Sequence, residues 1–152
     1  MSAAPVFDLT PRQKRLVRDS FESVREYSDS VVLLFYGRLF ELAPEARGMF
    51  KIEMHAQARK LMDMLISLVD ALDRGEELRA QLAELGARHA GYGVAPAHYD
   101  LLATALLWAF GQALELEFHR ETRAAWSSLL TGVSKIMLEG AAAAVQPGSR
   151  GN

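Results

Sequence analysis

Apolar residues recur three and four positions apart along nearly the whole chain, the period of amphipathic helices, while alternating strand patterns are scarce. Thr10-Pro11-Arg12-Gln13 reads as a helix start, with threonine as cap, proline at the first position and glutamine placed for a capping box. Leu16, Val17, Phe21 and Val24 then form an apolar face. A second helix is predicted from about Asp29 through Leu42, ended by Pro44, which opens a short helical turn to Met49-Phe50. The third runs from about Met54 to Leu72, with Met54, Leu61, Met64, Leu65 and Leu68 on its buried face. After Arg74-Gly75 a fourth helix is stopped by Gly91 and Gly93, and Pro96 starts a long apolar one through about Leu114. The last spans about Glu121 to Val145. The fold class is therefore all-α with six to seven helices. Residues 1–9 form an N-terminal extension, 10–145 one folded unit, and 146–152 a tail expected to be disordered.

Composition narrows the classes. The chain has 152 residues, half of them hydrophobic, which suits one core and leaves no room for a second catalytic domain. With a net charge of −2 and basic residues scattered along the helices, a nucleic-acid surface is not expected. Cysteine is absent, which excludes disulfides, thiolate metal sites and a cysteine nucleophile. Met1 to Asp8 lacks the pattern of a signal peptide, and Asp63, Asp70 and Glu115 break the longest apolar stretches. A cytoplasmic protein without membrane contact is the expectation.

One residue stands out against that background. Leu78, Leu82 and Leu85 lead by helical steps to His89, so an imidazole continues an apolar stripe. A ring placed there needs a partner, and a neutral imidazole with one lone pair suits an axial metal ligand. The blander alternative is a hydrogen-bonded core histidine. If a flat iron cofactor is held by His89, its other side would be lined by Tyr36, Gln57, Leu61 and Phe50. A phenol and an amide there can donate to a bound gas on which negative charge builds up. The blander alternative is a core Tyr36 bonded to a backbone carbonyl and a Gln57 side chain turned outward.

The ordered set Leu33-Leu34-Phe35-Tyr36, Leu39-Phe40, Met49-Phe50, Gln57-Ala58-Arg59-Lys60-Leu61, Arg88-His89, Tyr92-Gly93-Val94 and His98-Tyr99 closely resembles the bacterial single-domain haemoglobins, relatives of the globin domain of flavohaemoglobins. The likeness covers about Leu9 to Ala144. It implies a globin domain over 10–145 with b-type haem, His89 as proximal ligand and Tyr36 and Gln57 as the distal pair. It also implies Phe50 near the haem edge, and Leu61, Val94, Tyr99 and Leu102 against the ring. Arg88 matches a basic residue of the family; with Lys60 it is a candidate for the haem propionates, the alternative being a solvated charge.

Two departures weaken one part of the resemblance. In many relatives the tyrosine matching Tyr99 and a last-helix glutamate bond to the proximal histidine, favouring O–O cleavage. Counted from Trp126, which matches the family tryptophan, the glutamate's place falls at about Ala141. Glu139 is near in sequence but about 200° round the helix. A second family tyrosine is Leu130 here. Peroxidase-like chemistry is thus less secure than ligand binding.

Other residues carry weaker signals. His55, two before Gln57, would coordinate iron only in a shifted register, giving a six-coordinate site. His98 and His119 read as surface or capping residues, and the methionines as packing. Trp108 and Phe110 either line an inner gas route or simply pack.

The implied function is reversible binding of dioxygen, with NO and CO as related ligands. The alternatives are a nitric oxide dioxygenase served by a separate reductase, since no GxGxxG or flavin motif occurs here, and a gas-sensing globin acting through a partner. A haem-free helical module is the reading from another class. Oligomeric state is expected to be monomer or homodimer.

Overall fold

The computed structural model describes residues 7, 9–49, 54–91 and 93–144. They form six α-helices: α1 Pro11–Glu26, α2 Ser28–Leu42, α3 Met54–Asp70, α4 Gly75–Gly91, α5 Pro96–Leu114 and α6 Arg120–Ala144. Short 3₁₀ turns at Pro44–Met49 and Glu115–Glu117 join α2 to α3 and α5 to α6. No strand occurs among the described residues. None of their helices is long and apolar enough to cross a membrane.

The predicted start of α1 is built as expected. Thr10 Oγ1 accepts from the Gln13 N–H at 3.0 Å, and Gln13 Oε1 accepts from the Thr10 N–H at 3.0 Å. The helix α3 stops at Asp70, two residues before the predicted end, because the chain tightens into a turn there. Leu72 is buried all the same. The helix α4 ends at Gly91, and Gly93 takes a φ of 92°, a conformation open to glycine at little cost. Val145 and the tail 146–152 lie outside the described residues.

Two helix pairs organise the molecule: α4 on α6 and α2 on α5, with α1 laid along α6. Trp126 of α6 is fully buried at the middle of this arrangement. Its ring meets Phe110 edge-on at 4.8 Å and Phe21 at 6.2 Å. Its Nε1–H donates to Ser20 Oγ at 2.8 Å, and Ser20 in turn donates to the Leu16 carbonyl at 2.7 Å. A buried indole N–H and a buried hydroxyl are thereby both satisfied. Phe7, within the stretch read as an extension, is also buried; its ring lies over Gly132 of α6, where a Cβ would crowd it.

The feature that positions a site is a separation. Among the described residues α3 and α4, consecutive in sequence, barely touch each other. The helix α3 leans on α1, whereas α4 is committed to α6.

Candidate functional site

Along the helices that flank this separation, the apolar stripes change character. Leu65 and Leu68 on α3, Leu78 and Leu82 on α4, and Ala105 and Leu106 on α5 are buried. Further along the same stripes Leu61, Leu85 and Leu102, together with Val94 before α5, are only half-buried. Half-open apolar side chains on α3, on α4, on α5 and just before α5 offer a cradle for a flat apolar group.

His89 lies at the α4 end of this cradle and is half-buried. Its Nδ1 lies 2.9 Å from the Leu85 carbonyl oxygen. A carbonyl only accepts, so Nδ1 carries the proton and Nε2 the lone pair. Burial pushes the imidazole's pKa down; the Leu85 bond opposes that, and the Arg88 charge adds to it. The ring is therefore held neutral, the protonation state a metal ligand requires. Among the described residues no group of three His, Asp or Glu side chains is poised to hold a bare ion. A single histidine facing an apolar cradle suits a metal that brings its other ligands in a macrocycle.

Tyr36 projects from α2 and is buried. Its hydroxyl donates to the backbone carbonyl of Gln57 on α3 at 3.4 Å, a long bond. Burial pushes the phenol's pKa up to about 12, so it stays a proton donor at neutral pH. The ring is fixed by Phe35, edge-on at 4.8 Å, and by Phe40, stacked at 6.0 Å. The hydroxyl's bond brings α2 and α3 together at the two distal candidates through the glutamine's backbone, and the side chain of Gln57 is half-buried. Phe50 and the side chain of His55 lie outside the described residues.

The remaining candidates divide by exposure. Lys60 and Arg88 are exposed, where either could meet a carboxylate at the rim. Tyr99 is 5% exposed, and its hydroxyl is buried without a hydrogen-bond partner. Burial also raises its pKa. An orphaned phenol of this kind costs about 1–3 kcal/mol. Tyr99→Phe is therefore expected to stabilise the cofactor-free protein by a comparable amount, read as a higher denaturation midpoint; a lower midpoint would show that the hydroxyl is already served.

Sequence reasoning missed part of the frame around the site. His98 Nδ1 accepts the Ala95 N–H at 2.8 Å, the capping role expected of it. Its Nε2 also reaches Glu45 at 3.3 Å, tying the turn after α2 to the corner before α5. Nothing local announces that partner. His119 caps α6 through the Thr122 N–H at 3.4 Å. Glu139 pairs with Arg79 at 3.7 Å, so it faces α4 from the surface. Trp108 is half-buried beneath the Arg38 guanidinium, which lies 5.1 Å from the ring centroid; this is packing.

The Globin family model matches residues 33–137, which include Tyr36, Gln57, His89 and Tyr99. Over 124 residues the chain is 34% identical to an anaerobic nitrite reductase of Oryza sativa subsp. indica, covering 75% of this chain and 83% of that protein. It is 27% identical over 150 residues to a flavohemoprotein of Deinococcus radiodurans, covering 92% of this chain but 37% of that protein. Among solved structures, it is similar to an engineered carbene transferase made from RmaNOD of Rhodothermus marinus. That likeness has a TM-score of 0.79 and 25% identity, covering 88% of this chain and 94% of the other. Haem is the cofactor these relationships indicate, and the half-open apolar cradle beside a neutral histidine fits it. The chain belongs to the globin family.

Proposed function

We propose that the protein binds dioxygen and related diatomic gases reversibly, with His89 as the proximal ligand of haem b and Tyr36 and Gln57 as the distal pair. The observation that carries this reading is His89, its Nδ1 held at 2.9 Å by the Leu85 carbonyl on a helix whose apolar stripe is left half-buried, with Leu61, Val94 and Leu102 half-buried as well. When bound, the haem supplies a ferrous iron that takes a diatomic ligand and exchanges single electrons.

Each residue then has a defined task. His89 offers Nε2, while Leu85 fixes the tautomer and the ring plane. Tyr36 keeps its proton because of burial, and the long bond to Gln57 is cheap to exchange for one to a polarised ligand. Gln57 holds Tyr36 through its backbone and adds a half-buried amide to the same side. Leu61, Val94, Leu102 and the Tyr99 ring exclude water. Arg88 and Lys60 meet the propionates from the rim. The globin domain spans 10–145, in a cytoplasmic setting.

A second reading, oxidation of nitric oxide, is favoured by the likeness to RmaNOD of Rhodothermus marinus, described as a nitric oxide dioxygenase. Conversion of nitric oxide and dioxygen to nitrate takes up one electron per turnover, so a separate reductase is part of that reading. Gas sensing through a partner and weak peroxidase activity rank below both.

The test is a visible spectrum of haem-loaded protein, reduced with dithionite and then exposed to air. A Soret band, one broad ferrous band and a split spectrum on oxygenation are expected. Sharp split bands before oxygenation would mean a six-coordinate iron and return His55 to the site. No Soret band after adding haem would overturn the proposal.

A further inference from the structure

A close main-chain contact between two helices lies one turn from His89. A Cβ built on Gly86 of α4 would fall inside the backbone carbonyl of Met137 on α6. A Cβ on Gly140 of α6 would fall inside the backbone carbonyl of Ala83 on α4. The contact is reciprocal, with a spacing of three residues on each helix, so the two backbones cross with no side chain between them. Neither overlap can be relieved by a rotamer change, because the atoms met are main-chain atoms.

We infer that Gly86 and Gly140 are positioning residues for His89, setting the orientation in which its imidazole is presented. The inference rests on the reading of His89 as the haem ligand, and the coupling is covalent and short. The carbonyl that holds His89 Nδ1 at 2.9 Å belongs to Leu85. The carbon of that carbonyl is bonded to the nitrogen of Gly86, so the oxygen lies in the plane of the Leu85–Gly86 peptide. Gly86 Cα, which closes the same plane, is the atom that abuts α6. The α6 backbone thus fixes the peptide plane, the plane fixes the acceptor, and the acceptor fixes the ring. Among the described residues α4 barely touches α3 and is committed to α6, so this crossing restrains the part of the helix that carries His89. Gly86 and Gly140 act through His89 and touch neither the cofactor nor the gas.

The experiment uses haem-loaded Gly86→Ala and Gly140→Ala, with Gly37→Ala on α2 as control, where a Cβ meets nothing within 4 Å. The reporters are the iron–histidine stretching band of the ferrous protein by resonance Raman and the rate of haem loss to a scavenger. Both wedge variants are expected to shift the band and to release haem about 10-fold faster, the lower range for a lost supporting contact to a ligand. Gly37→Ala is expected to do neither. With His89→Gly and free imidazole supplied, the ligand is no longer tethered to α4, and adding Gly86→Ala should then leave the band where it was. An unshifted band in both wedge variants overturns the inference, as does a shift that persists with untethered imidazole. Should a wedge block folding, Ala83→Gly perturbs the same crossing by removing a methyl instead of adding one. A moved band there supports the inference, and an unmoved one overturns it. A native band in His89→Gly without imidazole would instead overturn the ligand assignment, a separate failure.

Discussion

His89→Ala is expected to lower haem affinity by at least about 100-fold, since the loss of a mere supporting partner to a metal ligand already costs up to that much. The cofactor-free fold should scarcely notice. The imidazole is half-buried, and its bond to the Leu85 carbonyl is worth about 1 kcal/mol. Part of that loss is offset because a polar ring is no longer withdrawn from water, the same burial that depresses its pKa. The decisive comparison is therefore between two measurements on one variant: haem titration followed by the Soret band, and thermal unfolding of the haem-free protein. Lost coordination with an unchanged melting curve identifies a ligand. A large drop in melting temperature with normal coordination identifies a core histidine.

The second large effect is expected at Tyr36. A neutral donor facing a ligand that carries negative charge contributes about 1.5–3 kcal/mol. Tyr36→Phe should then speed dioxygen release by about 10- to 100-fold, whereas carbon monoxide, which gathers little charge, should leave at nearly its original rate. The substitution keeps the ring that packs on Phe35 and Phe40 and gives up a long, 3.4 Å bond to the Gln57 carbonyl, so stability should change little. Rates measured by flash photolysis and stopped-flow decide the matter. Equal acceleration for both gases would point to altered packing, and no acceleration would remove Tyr36 from ligand retention.

Much of the fold was legible because its determinants are local. Thr10 and Gln13 form their capping box within four residues, and Gly93 sits where the chain needs a positive φ to leave α4. The stripe from Leu78 to His89 was readable for the same reason, a regular period on one helix. What the sequence hid are contacts between distant segments. Glycine within a helix reads only as a weak propensity cost, so nothing at Gly86 or Gly140 announces a main-chain crossing. Phe7 lies ahead of any periodic stretch, and its burial depends on the bare surface at Gly132. Glu45 and His98 meet across the molecule although each reads as a helix-end residue. The phenol of Tyr99, read as part of the haem wall, turns out to have an unserved hydroxyl, which a pattern of apolar positions cannot reveal.

Of the two tryptophans, Trp126 is sealed in the interior with its N–H bonded to Ser20, and Trp108 sits at the surface beneath Arg38. The two therefore emit differently: the sealed indole at short wavelength, the partly wetted one further to the red. Haem absorbs where tryptophan emits, so its arrival in the same small domain darkens both. The protein thus carries an intrinsic optical gauge of its own occupancy, and the blue edge of the emission reports the state of the core separately from that of the surface.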